Sequence, residues 1–273
     1  MALKLYYITN NPEVALIAEK NGVDRIFVDL ESLDKELRQQ GMDTVKSHHT
    51  PADVKAVKSV LTKSELIARV NHWNDNSQEE IDAVIDAGAD IVMLPYWKSV
   101  KEVENFIKAV AGRAKTMPLL ETKEAFECLP EVLKLSGLDE MYVGLNDLSI
   151  SYGFKFMFEP LANGIVEKIA SQIKESGIPF GFGGIASLGQ GMLPAEKIVM
   201  EHYRLGSTRV ILSRSFCDLQ KCESLAEIEN LFTKNVKALR EYEESLKKAS
   251  ASDFEKNKED VKLAVESICT KIS

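Results

Sequence analysis

"TMPLLETKEAFECLPEVLKLSGLDEMYVGLNDLS", residues 116–149, holds two short apolar runs separated by a helical pattern. The first run, 116–121, reads as a buried strand that ends on a carboxylate, Glu121, and a helix begins at once with Thr122 placed to cap it. Gly137 stands where that helical stretch would exit, and the second run, 140–146, meets Asp147 in the same way. A strand, a helix and a second strand in this order form one unit of a parallel sheet.

The same alternation continues on both sides. Further strand candidates are "LKLYYIT" (3–9), "RIFVDLE" (25–31), "ELIARVN" (65–71), "DIVMLPY" (90–96), "PFGFGGIA" (179–186) and "TRVILSRSF" (208–216), eight in all with the first two. Helical patterns such as 12–22, 77–88 and 100–112 lie between them, and Gly22, Gly88, Gly112 and Gly177 mark helix exits. The strands are apolar almost throughout, as strands buried on both faces must be. Eight such units favour an α/β fold closed into a (β/α)8 TIM barrel over an open doubly wound sheet.

Two segments exceed that plan. Residues 32–50, "SLDKELRQQGMDTVKSHHT", make a long polar connection after the second strand, where a barrel places an active-site loop. Residues 219–273 form a charge-rich helical tail beyond a barrel core of 1–218. Leu225, Ile228, Leu231, Phe232, Val236 and Leu239 fall at helical spacing, and "SASDFEKNKED" (250–260) reads as an interruption before a last amphipathic piece, 261–272. One helix of the tail would finish the barrel. The other has no assigned place in it, which points to a neighbouring subunit.

The chain of 273 residues is 45% hydrophobic and 28% charged, with ample material for one large core. A formal net charge of −8 with no basic stripe argues against a nucleic-acid partner. Four cysteines without CxxC spacing read as reduced thiols, and Cys128 as a core thiol. No signal-peptide pattern opens the chain, and no apolar run reaches membrane-span length, so a soluble cytoplasmic protein is expected, with no membrane partner.

In parallel barrels function gathers at the carboxyl ends of strands. There the sequence places Glu31, then Arg69 and Asn71, then Glu121 and Asp147. Two carboxylates at neighbouring strand ends can meet at one point, and Mg²⁺ characteristically takes one or two carboxylates with water and substrate at about 2.0–2.1 Å. Glu121 and Asp147 are therefore candidate ligands of Mg²⁺ or Mn²⁺. Glu121 has a plainer reading as well, a negative charge entering the first turn of a helix.

The block 119–153, with "GVDRIFVDLE" (22–31), "ARVN" (68–71) and "GADIVMLP" (88–95), resembles the HpcH/HpaI aldolase and citrate lyase β-subunit family over residues 20 to 216. Members are pyruvate- or oxaloacetate-forming C–C lyases on a (β/α)8 barrel. The resemblance implies that Glu121 and Asp147 hold the metal and that Arg69 holds the substrate's carbonyl or enolate oxygen. It places Glu31 behind a metal-bound water, and gives the backbone amides of Gly144, Leu145, Asn146 and Asp147 the pyruvate carboxylate. It also implies a homo-oligomer, from dimer to hexamer, with helices exchanged between subunits.

The residue types suit that chemistry. Cleaving a hydroxy-keto acid beside its keto group leaves an enolate, which a Lewis acid and a guanidinium stabilise. Lys4 lies near the start of the first predicted strand, and no other lysine lies inside or at the carboxyl end of one, which counts against a Schiff-base route. The match breaks at Ser32, where the family's aldolases carry an acid/base histidine. Lys35 and Arg38 partly match the citrate-lyase-like branch. Nearby imidazoles are His48, His49 and His72; His49 is the candidate base, with a structural part before the helix opening "TPADV" as the other reading. "GFGGIASLGQG" (181–191) either binds phosphate through its amides, with Arg214 at hand, or only allows a tight loop. Trp73 and Trp97 suit a substrate wall or plain packing.

The expectation is a divalent-metal-dependent aldolase acting on a small keto or hydroxy acid through a pyruvate enolate. Its rivals are a citryl- or malyl-CoA-type lyase or thioesterase, which would need a basic groove, and an inactive barrel with an assembly or regulatory role.

Overall fold

The computed structural model describes residues 2–33 and 49–272. His48, Lys35 and Arg38 lie outside the described residues. The eight strands are β1 (Lys4–Ile8), β2 (Arg25–Asp29), β3 (Glu65–Arg69), β4 (Ile91–Leu94), β5 (Lys115–Leu120), β6 (Met141–Val143), β7 (Phe180–Ile185) and β8 (Arg209–Leu212). All neighbours pair in parallel, and β1 pairs with β8, so the sheet closes as a barrel in sequence order. This is the α/β barrel read from the eight apolar runs. No helix among the described residues is long and apolar enough to cross a membrane.

Side chains of alternate strand residues fill the barrel. Tyr6, Phe27, Ile67, Ile91, Met93, Met117, Leu119 and Tyr142 form one buried cluster inside it, while the larger cluster lies between the strands and the surrounding helices. Below the inner cluster, at the amino ends of the strands, the floor is charged. Arg25 is fully buried and grips both oxygens of Glu140, at 2.6 Å each, while its Nη2 lies 2.7 Å from Glu65. Tyr6 and Arg209 join the same carboxylate. Buried charges survive only when paired in this way. Lys115, at the start of β5, also belongs to this floor through Glu65, far from the carboxyl ends where a Schiff base would form.

The glycine-rich β7 owes its glycines to packing. Its register with β8 shifts between Gly181 and Gly184. The Tyr142 hydroxyl fills that gap, donating to Gly183 O at 2.7 Å and accepting from the Ile211 N–H at 2.8 Å. A Cβ on Gly181 would stand 2.4 Å from Arg209 O, and Gly183 has φ of +55°, so only glycine fits both positions.

Both tail helices have places on this chain. Leu225–Leu246 packs on the first helix, Pro12–Lys20, and Glu243 accepts from the Leu3 N–H at 2.7 Å. The last helix is longer than the sequence predicted, Ala251–Ile272, and the polar stretch 250–260 is its first half rather than a break. Ser250 bonds the Asp253 carboxylate and starts it. It lies along Ala195–Leu205 and Glu159–Ala162, with Asn257 donating to Lys197 O and Glu201, Lys258 paired with Glu167, and Val261 and Val265 buried. The stretch reads as an interruption in sequence because its partners stand 56 to 91 positions away.

Candidate active site

The charged residues singled out in sequence lie at or just past the carboxyl ends of β2, β3, β5 and β6. Phe27, Asp29 and Glu31 alternate along β2 and just past it, with Phe27 inside the barrel, so Asp29 and Glu31 follow on the inward side. Parallel pairing sets Asp29 opposite Arg69 of β3. Arg69 donates from Nε and Nη2 to the two oxygens of Asp29, each at 2.8 Å, and its Nη2 lies 3.4 Å from Glu31. Phe27 supports the guanidinium from below, with 5.5 Å from Cζ to the ring centre. Burial works against the charge on Arg69, but Asp29, Glu31 and Glu121 outweigh it and hold its pKa above the ordinary value. Arg69 is thus a permanent, fixed cation.

Asp29 is the residue that sequence reasoning missed. Besides gripping Arg69, its Oδ1 accepts the Glu31 N–H at 3.2 Å, and its own N–H donates to His49 Nδ1 at 3.0 Å. One aspartate thereby touches Arg69, Glu31 and His49. The available signal was a charge inside an apolar strand, two residues before Glu31 and on the same face. The hydrogen bond also sets the His49 tautomer. With Nδ1 accepting, the neutral ring carries its proton on Nε2, and taking up a second proton costs the bond to Asp29.

Glu121 follows β5 and is buried, with Oε1 accepting the Tyr96 N–H at 2.9 Å. Tyr96 has φ of +50°, unusual for a residue with a side chain, and Lys98 Nζ lies 4.7 Å from its ring centre. Oε2 of Glu121 sits above Gly144, where an added Cβ would lie only 2.6 Å from it. Thr122 caps the helix Lys123–Glu127 as expected, and its hydroxyl also donates to Trp97 O at 3.0 Å. Trp97 is fully buried, so it packs rather than lining a mouth; Trp73 is half-buried against the same core. Cys128 is half-buried beside this helix.

Gly144 opens the short helix Leu145–Ser151, with Leu145, Asn146 and the buried Asp147 as its first turn. The Gly144 N–H is spent on Leu120 O at 2.9 Å, so it is not free for a substrate carboxylate. Leu145 and Asn146 open the first turn, where backbone amides have no acceptor within the helix. Asn71 ties the loop after β2 to β3, its Oδ1 accepting the N–H groups of Ser32 and Leu33 at 2.8 and 2.9 Å.

Two buried carboxylates at adjacent strand ends are a donor set for a hard cation. Among the described residues, no group of three or more His, Cys, Asp or Glu side chains is arranged to hold a metal ion. Mg²⁺ is commonly held by one or two carboxylates completed by water and substrate, and Glu121 and Asp147 are of that residue type. The missing Cβ of Gly144 leaves room for the Glu121 carboxylate beside it.

The family profile described as HpcH/HpaI aldolase/citrate lyase matches residues 3–178. This chain belongs to the HpcH/HpaI aldolase/citrate lyase family. A 4-hydroxy-2-oxo-heptane-1,7-dioate aldolase of Shigella boydii serotype 18 is 25% identical over 171 residues, 49% of this chain and 63% of that protein. The match thus spans less than two thirds of that relative's length. A hydroxypyruvate/pyruvate aldolase of Sagittula stellata is 24% identical over 186 residues, 57% of this chain and 72% of its own length. Among solved structures, the HpcH/HpaI aldolase from Desulfitobacterium hafniense DCB-2 superposes with a TM-score of 0.59 at 17% identity, covering 88% of this chain and 93% of that one. That likeness establishes the HpcH/HpaI barrel fold and nothing finer.

Proposed function

We propose that this protein is a lyase that breaks or forms a carbon–carbon bond next to pyruvate, through an enolate, with the help of a divalent cation. The observation that carries this reading is the Arg69 guanidinium, fixed by Asp29 and Glu31 and close enough to Glu121 to feel its charge. A pre-placed cation of this kind stabilises an oxygen that becomes negative in the transition state. Glu121 and Asp147 would hold Mg²⁺ or Mn²⁺, which supplies Lewis-acid polarisation of the keto group when bound. The amides of Leu145, Asn146 and Asp147 would orient the substrate carboxylate. Arg69 would hold the keto oxygen and the enolate that follows it.

His49 is the acid/base candidate near this cation, and Glu31 orders water at the mouth. The Asp29 N–H on Nδ1 leaves Nε2 as the donor face of the neutral imidazole. Proton uptake by His49 then requires that hydrogen bond to open. We infer further that the protein is a cytoplasmic homo-oligomer. The last helix leaves Leu263 and Ile272 exposed on its outer side, and light scattering at micromolar concentration tests self-association.

Enolate formation needs no aldehyde, so exchange of the pyruvate methyl protons in D₂O tests the reading directly. With Mg²⁺ or Mn²⁺ the protein should exceed buffer and metal alone, and Glu121→Gln or chelator should abolish the difference. Normal exchange in His49→Ala would move the base elsewhere. No exchange with any divalent cation would remove the aldolase reading. Exchange on acetyl-CoA alone would favour a thioester lyase, and activity on neither an inactive barrel.

A further inference from the structure

The connection between β8 and the Leu225–Leu246 helix carries two of the four cysteines. After β8 the chain makes a 3-10 turn at Arg214–Phe216 and a second at Leu219–Lys221; Cys217 ends the first and Cys222 the second. Successive bonds, Lys221 N–H to Asp218 O at 3.0 Å and Cys222 N–H to Leu219 O at 3.3 Å, fold the segment back on itself. The Cys222 thiol donates at 3.4 Å to the carbonyl of Asp218, the residue that follows Cys217, so the turn returns Cys222 to the neighbourhood of Cys217.

The two sulfurs differ in surroundings. Cys217 is only 2% exposed and its position is pinned. Its carbonyl accepts from the Tyr7 hydroxyl at 3.3 Å, and the preceding Phe216 carbonyl accepts from Asn235 Nδ2 at 2.6 Å. Cys222 is half-buried, at the end of a short turn that leaves it reachable from solvent. A reachable thiol folded back by a tight turn beside a buried one is the arrangement in which the first captures an oxidant and the second resolves the adduct.

We propose that Cys217 and Cys222 are a redox-modification site that closes to an intramolecular disulfide when it meets a small disulfide oxidant such as glutathione disulfide. The Cys222 thiolate attacks one glutathione sulfur, the glutathione S–S bond breaks, and one glutathione thiolate leaves and takes a proton. The Cys217 sulfur, losing its proton to solvent, then attacks Cys222 and expels the second glutathione. Two cysteine thiols are oxidised to one disulfide, and one glutathione disulfide is reduced to two thiols. Burial, with Cys222 and Asp218 close by, pushes the Cys217 thiol up to about 12, so the closing step accelerates as pH rises above neutrality.

The test is to incubate the reduced, folded full chain with glutathione disulfide and map its peptides by mass spectrometry without reduction. The expected product is a Cys217–Cys222 bridge, lighter by two hydrogens, formed faster at pH 9 than at pH 7 and reversed by dithiothreitol. Cys217→Ser should stop at a glutathione adduct on Cys222, and Cys222→Ser should leave position 217 unmodified over the time in which wild type closes. The wild-type experiment alone decides if either variant folds poorly. Persistent glutathionylation of Cys222 with no bridge, or pairing of Cys222 with Cys128 or Cys269, would overturn the proposal.

Discussion

Asp29 and Arg69 face each other across β2 and β3 and share two hydrogen bonds of 2.8 Å, a bidentate pair inside the mouth of the barrel. The planar fork of a guanidinium matches a carboxylate in this way and fixes direction as well as charge. Asp29→Asn turns one oxygen into a donor that faces another donor, leaving Arg69 to Glu31 at 3.4 Å. Pyruvate proton exchange should fall on the order of tenfold to a hundredfold, chiefly in turnover rather than KM. Arg69→Lys should lose at least as much, because an ammonium lacks the fork. Wild-type exchange rates in Asp29→Asn would show that Arg69 needs no such grip.

Gly144→Ala tests the proposed cation site without removing a ligand. The Gly144 φ of −86° suits alanine, so the backbone has no objection. The new methyl would stand 2.6 Å from Glu121 Oε2 and must displace that carboxylate. Mn²⁺ affinity by calorimetry should drop by about tenfold or more, as when the support of a metal ligand is lost, with little change in thermal midpoint. Unaltered affinity would separate Glu121 from any metal role.

The floor of the barrel predicts a stability effect without a catalytic one. Glu140→Gln leaves the fully buried Arg25 without its principal partner and weakens its contact with Arg209. Breaking a buried pair from one side costs about 3–5 kcal/mol, which denaturant unfolding would register. Exchange per folded molecule should be unchanged, since the floor lies at the opposite end from the mouth. A wild-type unfolding midpoint would mean that water reaches Arg25.

His202 predicts a pH dependence. It is fully buried, stacks on Phe182 at 3.8 Å, and holds Ser207 Oγ at 2.7 Å from Nδ1, while Nε2 has no partner. Burial lowers its pKa to about 3, so the unfolded chain binds a proton that the folded chain refuses. Its contribution is therefore intact above an unfolded pKa near 6.5 and is lost as pH falls toward 3. The limiting slope is about 1.4 kcal/mol per pH unit. His202→Gln should flatten the loss of stability between pH 7 and 5; an unchanged slope would assign it to other groups.

The sequence by itself determined the barrel. Burial on both faces leaves eight apolar runs, helix exits need glycine, and both signals are local. It also marked Glu31, Arg69, Glu121 and Asp147, because a charge at the end of an apolar strand stands out without knowledge of its neighbours. What it could not supply was anything set by pairing across distance. Asp29 meets Arg69 only through a register forty positions long, and Tyr142 completes β8 from another strand altogether. The Tyr96 amide reaches Glu121 through a positive φ that no residue type there announces. Gly144 looked like an amide donor and instead spends its N–H on the ladder, contributing a missing side chain. Local pattern chose the elements, and closure of the barrel chose their partners, since hydrogen bonds and charges pair by position in space.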